Sequence, residues 1–245
     1  MSRQMLIMIF FMVSAWTTQA AVTVRLPAKD LTFEQAPRLS DVLSYTAEDR
    51  HTYWPAAALF RQDEALSLQH QQFLAELLRL HSWFEQRGQL AFAEEVQLLH
   101  QDMAQWQVAR RQPVRVHPDL ARWQIHYNPR LDAGDYLLRY GPRAESIFTG
   151  GLYHQTSLAY RPATPVSKYL DVSLFGRLAD RNYIWVLSPS GDIQRVGIRA
   201  WNDEPVQVMP GSLLLVLFHE KRLPTGFRHL NQQLFELAKH RVPPQ

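Results

Sequence analysis

The fold is decided by residues 63–108, which read DEALSLQHQQFLAELLRLHSWFEQRGQLAFAEEVQLLHQDMAQWQV and contain one glycine and no proline. Apolar side chains recur at helical spacing on both sides of that glycine, Gly88, at Phe73, Leu77, Leu80, Phe84, Leu90, Ala93, Val96, Leu99, Met103 and Trp106. The acidic pair Asp63 and Glu64 favours a helix start at the beginning of the stretch. The pattern predicts two antiparallel helices joined at Gly88, that is, a helical hairpin.

Short β-rich segments flank this hairpin on both sides, and a short helix around Val42 is predicted between the first two. The predicted strands of this half are residues 22–26, 56–60, 114–116, 123–127 and 136–140. A sheet that opens before the hairpin and closes after it makes the hairpin an insertion. Residues 21–140 are therefore predicted to form a first α+β domain that carries the insertion at 63–108.

A second unit is predicted from Gly141-Pro142 onward, because this dipeptide is typical of a loop between elements. Its predicted strands are residues 183–187, 193–198 and 212–218, and the first two form a hairpin around the turn at 189–192. This second α+β domain is assigned to residues 141–222. Residues 223–245 are predicted to form a C-terminal amphipathic helix, which docks on its own protein, on a partner or on a membrane surface.

The first twenty residues have the pattern of a secretory signal peptide. Arg3 supplies positive charge, residues 5–13 are apolar without interruption, and small side chains at Thr18 and Ala20 suit a signal peptidase. The apolar run is too short to cross a bilayer. We expect cleavage near Ala20; an uncleaved amphipathic anchor is the alternative.

Composition narrows the classes of function. The absence of cysteine excludes disulfides, thiol chemistry and thiolate metal sites. The net charge of +3 is spread along the chain without a basic stripe, so no nucleic-acid partner is predicted. No segment after the signal peptide approaches the length of a membrane span, and the chain is therefore not expected to be an integral membrane protein.

Motifs of known catalytic chemistry are missing from the chain. The pairs His117 with Asp119 and His219 with Glu220 are too few ligands for a metal site. Glu94-Glu95 are expected to point in diverging directions from a helix, which does not suit glycoside cleavage. The sequence predicts neither an enzyme nor a cofactor.

Several short motifs, taken together in order, resemble the GfcC family of bacterial capsule and exopolysaccharide operons, which includes YjbG-type proteins. They are Tyr53-Trp54-Pro55-Ala56-Ala57, the helical hairpin, Asn128-Pro129-Arg130-Leu131, Gly134-Asp135-Tyr136, Ile184-Trp185-Val186, Pro189-Ser190-Gly191, Trp201-Asn202, Pro210-Gly211-Ser212 and the tail Leu230–Leu234 with Arg241. The resemblance covers most of the chain after its first twenty residues. It implies two tandem β-grasp domains, the hairpin inserted in the first, and a C-terminal amphipathic helix.

The resemblance also implies a periplasmic, non-catalytic accessory protein whose partners are a polysaccharide, outer-membrane polysaccharide export proteins, or both. The alternatives are an envelope glycan-modifying enzyme and a structural scaffold that docks through its terminal helix. It further implies a cavity arginine just after the hairpin, for which Arg115 is the first candidate and Arg111 the second. A strand arginine at position 115 would point away from its apolar neighbours, and its planar fork suits a carboxylate or sugar hydroxyls. The predicted ligand-binding aromatic residues are Tyr53, Trp54 and Trp201.

Overall fold

The computed structural model describes residues 21–46 and 51–244, so the predicted signal peptide and its cleavage site near Ala20 lie outside the described residues. The first of two five-stranded mixed sheets consists of β1 (Val22–Arg25), β2 (Asp30–Phe33), β3 (Ala58–Arg61), β4 (Arg110–Arg111) and β5 (Gly134–Arg139). Their order across the sheet is β2-β1-β5-β3-β4. The central strands β1 and β5 are parallel, and the other pairs are antiparallel.

The second sheet repeats this arrangement. It consists of β6 (Ser146–Gly151), β7 (Ser157–Ala159), β8 (Tyr183–Leu187), β9 (Ile193–Gly197) and β10 (Leu213–Val216). The order is β7-β6-β10-β8-β9, and the central pair β6 and β10 is again parallel. The chain is thus an α+β protein in which two sheets of the same strand order follow one another.

Five α-helices accompany these sheets in the described part of the chain. They are α1 (Leu39–Ser44), α2 (Glu64–Glu85), α3 (Leu90–Ala104), α4 (Pro118–Trp123) and α5 (Leu230–Lys239). The side chain of Asp63 accepts a hydrogen bond from the N–H of Leu66 at 3.0 Å and so caps α2. Gly88 joins α2 to α3 with a φ of +68°, a left-handed conformation that glycine adopts without strain.

The strands predicted over 114–116 and 123–127 are wrong. The edge strand β4 ends at Arg111, because Pro113 lacks the N–H that would continue the ladder. Pro118 occupies the first turn of α4, where His117 is the N-cap, and residues 125–127 form a 3₁₀ turn. The terminal helix is also shorter than predicted, with its α-helical part limited to Leu230–Lys239.

The helical hairpin lies in the chain between β3 and β4 of the first sheet, but its apolar face packs on the second sheet. Phe73, Leu77 and Leu80 of α2 are fully buried in the same cluster as Leu214 and Val216 of β10. The first sheet has its own smaller core with α1, which includes Val24, Leu39 and Leu138. The hairpin therefore attaches the two sheets to each other through burial of apolar surface.

The C-terminal helix α5 is docked on this shared core. Leu230, Leu234 and Leu237 are buried, and the ring of Phe235 lies 4.5 Å from that of Trp185 on β8. The side chain of Asn231 accepts from the N–H of Phe218 at 2.9 Å and donates to the carbonyl of the same residue at 2.8 Å. Phe218 also forms an isolated antiparallel bridge with Ala179, and Asn231 satisfies the N–H and C=O of Phe218 that the bridge does not use.

We expect Asn231→Ala to lower the free energy of unfolding by about 2 kcal/mol, because both backbone groups of Phe218 lose their partner. Chemical denaturation followed by far-UV circular dichroism measures the change. Gln232→Ala is the matched control, since the neighbouring Gln232 is exposed and bonds only Glu236 within the described chain. Equal stabilities of the two variants would show that Asn231 does not hold the helix.

Candidate functional site

A cleft forms where the edge of the first sheet, one face of the second sheet and the C-terminal segment meet. Arg111 enters it from β4, where its backbone pairs with Phe60. Its Nη2 donates to the carbonyl of Pro189 in the turn between β8 and β9. The side chain thus starts on the first sheet and ends against the second.

The floor of the cleft is apolar and its volume is small. Phe148, Leu187 and Leu213 line it from neighbouring strands of the second sheet. Leu213 pairs with both Leu187 and Phe148, which places the three side chains on one face. The cavity volume of about 50 Å³ suits a few water molecules or a single carboxylate-sized group in this conformation.

Three cationic residues line this cleft: Arg111, Lys239 and Arg241. Burial holds the pKa of Arg111 below its ordinary value, and the nearby charge of Asp192 acts in the opposite direction. Burial likewise lowers the pKa of Arg241, against the charge of Asp102. Arginine remains charged through such shifts, so the cost of burying it must be offset by a counter-charge or hydrogen bonds.

Neither arginine is neutralised by a salt bridge within residues 21–46 and 51–244. Lys239 is paired with Glu236, at 2.6 Å from Nζ to Oε2. Arg241 instead lies over the ring of Trp106, with 4.4 Å from Cζ to the ring centroid. Two partly buried guanidinium groups beside an apolar floor form an electropositive site, which would complement an anion.

The turn opposite Arg111 is shaped to receive a planar guanidinium. Gly191 has a φ of +102°, and a Cβ at this position would lie 3.2 Å from Nε of Arg111. The turn itself is held by Ser190, whose hydroxyl donates to Asp192 at 2.7 Å. The guanidinium can therefore lie directly against the backbone of the turn, with Asp192 close enough to affect its pKa.

The other predicted site residues lie elsewhere. Arg115 is exposed in the loop before α4, so the premise that it sits on a strand is wrong, and the cleft contains Arg111 instead. Trp54 is stacked on Tyr140 at 5.8 Å, and Tyr53 lies under the guanidinium of Arg143 at 5.6 Å. Trp201 is 70% exposed at the end of the β8–β9 hairpin, edge-on to Tyr183. None of these aromatic residues lines the Arg111 cleft.

Of the two glutamates considered for glycoside cleavage, Glu95 makes structural contacts within the chain. Glu95 is buried and accepts hydrogen bonds from the backbone N–H groups of Arg177 and Leu178. Across the described residues, no group of three histidine or acidic side chains is close enough to hold a metal ion. The same part of the chain contains no helix long and apolar enough to cross a membrane.

Comparison with known proteins gives two matches that together cover most of the chain. Residues 18–143 match the family described as "Capsule biosynthesis GfcC, N-terminal", and residues 154–243 match "Capsule biosynthesis GfcC C-terminal". The chain belongs to the GfcC family. The "Uncharacterized protein YjbG" of Escherichia coli (strain K12) is 29% identical over 255 residues, which cover 99% of this chain and all of that protein.

GfcC membership associates the chain with capsule biosynthesis and confirms the resemblance seen in the sequence. The break between the two matched regions falls at 144–153, which contains the whole of β6. Lys239 was absent from the residues proposed on sequence grounds, and Arg241 had been noted only as part of the family-like tail. The sequence feature that points to both residues is the pair of basic side chains, Lys239 and Arg241, at the end of an amphipathic helix and close to Pro243-Pro244.

Proposed function

We propose that this protein is a periplasmic, non-catalytic accessory protein of capsule or exopolysaccharide assembly that binds an acidic group of the polymer in the Arg111 cleft. One observation carries the proposal: two partly buried guanidinium groups without a salt-bridge partner in the described chain line a small cavity with an apolar floor. A planar fork in such a place suits a uronate carboxylate or another acidic substituent of a sugar.

Two further features of the proposal concern location and fold. The first ladder begins at Val22, so removal of the signal peptide after Ala20 leaves every described strand in place, which supports export. The repeated strand order, with a parallel central pair, supports the assignment of both sheets as β-grasp units. In the first unit, α1 follows the hairpin of β1 and β2 and packs on the sheet through Leu39 and Val42.

The proposal is tested by isothermal titration calorimetry of the chain from Ala21 onward with the acidic exopolysaccharide of its own host, at low and moderate salt. We expect micromolar binding that weakens as salt increases, because attraction between exposed charges is screened. Arg111→Lys keeps the positive charge but loses the bidentate fork, and we expect it to weaken binding by about tenfold. Arg115→Ala is the matched control and should bind like the wild type, since Arg115 lies outside the cleft.

Two outcomes would overturn the assignment. Equal binding by the wild type and by Arg111→Lys, together with a loss in Arg115→Ala, would move the sugar site to the exposed loop. Absence of binding by a wild type that unfolds cooperatively would show that the protein acts through protein partners instead. Envelope proteins retained on the wild type but not on Arg111→Lys would then identify the export component.

A further inference from the structure

The two most exposed large apolar side chains in the described structure lie at the end of α4 and just after it. Trp123 is 85% exposed and Ile125 is 71% exposed, and all residues from 122 to 126 face solvent. Scattered single apolar residues on a surface are ordinary, but a tryptophan and an isoleucine two residues apart form an apolar tip. The tip is not part of the Arg111 cleft, and the packing of the fold does not explain it.

The tip is anchored firmly at both ends. Before it, Ala121 of α4 is buried in the core of the first sheet. After it, the amide side chain of Asn128 accepts from the N–H of Ser40 at 2.9 Å and donates to its hydroxyl at 3.0 Å. The carbonyl of Asn128 also accepts from Arg38 at 3.0 Å. The apolar side chains are therefore held out in water by a fixed backbone, so little conformational entropy is lost when they are buried by a partner.

Positive charge exceeds negative charge in the part of the chain that contains the tip. Residues 113–131 contain three arginines, at 115, 122 and 130, and a single acidic residue, Asp119. All three arginines are exposed and form no salt bridge with another described residue. Asp119 is exposed near His117, with 4.0 Å from its Oδ2 to Nδ1 of the imidazole. The surroundings of the tip thus complement a negatively charged surface.

The size and shape of the tip favour a lipid surface over a protein. A stable protein interface buries about 800 Å² on each partner. The tip offers two protruding side chains, which is too little for such an interface. Tryptophan is enriched at the interface between headgroups and acyl chains, and flanking arginines add attraction to anionic lipids. We propose that the segment 122–126 inserts Trp123 and Ile125 into the headgroup region of an anionic membrane and so places the protein on that surface.

Co-sedimentation with vesicles tests this proposal, using the chain from Ala21 onward so that the apolar signal segment does not contribute. The expected result is binding to vesicles that contain phosphatidylglycerol and little binding to pure phosphatidylcholine. Trp123→Ala should reduce the partition coefficient by about tenfold, because the indole supplies most of the buried apolar area. Arg122→Gln should reduce it by about fivefold in low salt and less in high salt.

Trp201→Ala is the matched control. Trp201 is a second highly exposed tryptophan, but it lies in the turn after β9 of the second sheet and outside the segment 122–126. It should bind vesicles like the wild type. Brominated lipids give an independent reading, because they should quench wild-type fluorescence and leave that of Trp123→Phe less affected. Equal binding by the wild type and Trp123→Ala would overturn the proposal. Self-association in sedimentation equilibrium that Trp123→Ala abolishes would also overturn it, by making the tip a contact between copies.

Discussion

Gly151→Ala is expected to lower the free energy of unfolding by about 4 kcal/mol, the largest effect of a single methyl group that we predict for this chain. Gly151 ends β6 with a φ of +78°, where an L side chain costs about 1–2 kcal/mol. A Cβ there would also overlap the carbonyl oxygen of Val216 on β10. That oxygen accepts the N–H of Leu152 at 3.0 Å, so relief of the overlap must break the central pair of the second sheet.

Urea denaturation followed by both far-UV circular dichroism and tryptophan fluorescence measures this loss. Gly226→Ala is the control, because a Cβ at Gly226 would meet no atom within 4 Å and its φ is not positive. That variant should be as stable as the wild type within about 0.5 kcal/mol. A Gly151→Ala protein of nearly unchanged stability would mean that β6 and β10 are not held together as described.

The helical hairpin could be predicted from the sequence because its evidence is local. A period of 3.6 residues on both sides of Gly88 and a capping carboxylate at Asp63 depend only on neighbours in the chain. The surface on which it packs could not be predicted in this way. The stripe that includes Phe73 and Leu77 indicates that one face of the helix is buried. It does not indicate whether the first or the second sheet covers that face.

The errors after the hairpin have a related cause. Val114 and Val116 have high strand propensity, but a strand also requires a partner with free N–H and C=O groups, and β4 stops at Arg111. The strand predicted over 123–127 is wrong because Pro118 begins a helix. Sequence propensity alone did not favour that helix over a strand. The first of these errors also supported the choice of Arg115 over Arg111, since a strand over 114–116 would have pointed Arg115 away from its apolar neighbours.

Glu95→Ala is expected to lower the free energy of unfolding by about 3 kcal/mol and to loosen the contact between the hairpin and the second half. The carboxylate of Glu95, on α3, accepts from the N–H of Arg177 at 2.6 Å and from that of Leu178 at 3.0 Å. Leu178 is fully buried, so its N–H would have no replacement partner in water. Thermal unfolding by calorimetry measures the loss.

A double-mutant cycle separates this contact from general destabilisation. A Cβ at Gly176 would overlap Oε1 of Glu95, so Gly176→Ala should be strongly destabilising in the wild type. In the Glu95→Ala background the overlapping oxygen is gone, and the same substitution should cost at least 1 kcal/mol less. Additive effects of the two substitutions would show that Glu95 does not lie against the 176–178 backbone.

The contact also predicts how stability depends on pH. Burial raises the pKa of Glu95 above its ordinary value of 4.5, and the hydrogen bonds from Leu178 and Arg177 act in the opposite direction without cancelling the shift. The folded state therefore holds a proton on Glu95 more tightly than the unfolded state does. Burial of the ionised carboxylate lowers the stability of the folded state. This cost is fully present above the pKa that Glu95 has in the folded state, and it disappears as the pH falls to 4.5.

Relative to Glu95→Gln, which carries no charge at any pH, the wild type should thus gain stability between pH 7 and pH 4.5. The difference between the unfolding free energies of the two proteins isolates this carboxyl group together with its charge interactions with His154 and Arg177. A wild type that loses stability relative to Glu95→Gln on acidification would mean that the two amide hydrogen bonds outweigh desolvation. In that case the ionised carboxylate of Glu95 would hold the hairpin to the second half of the chain. Acidification would then weaken this contact instead of strengthening it.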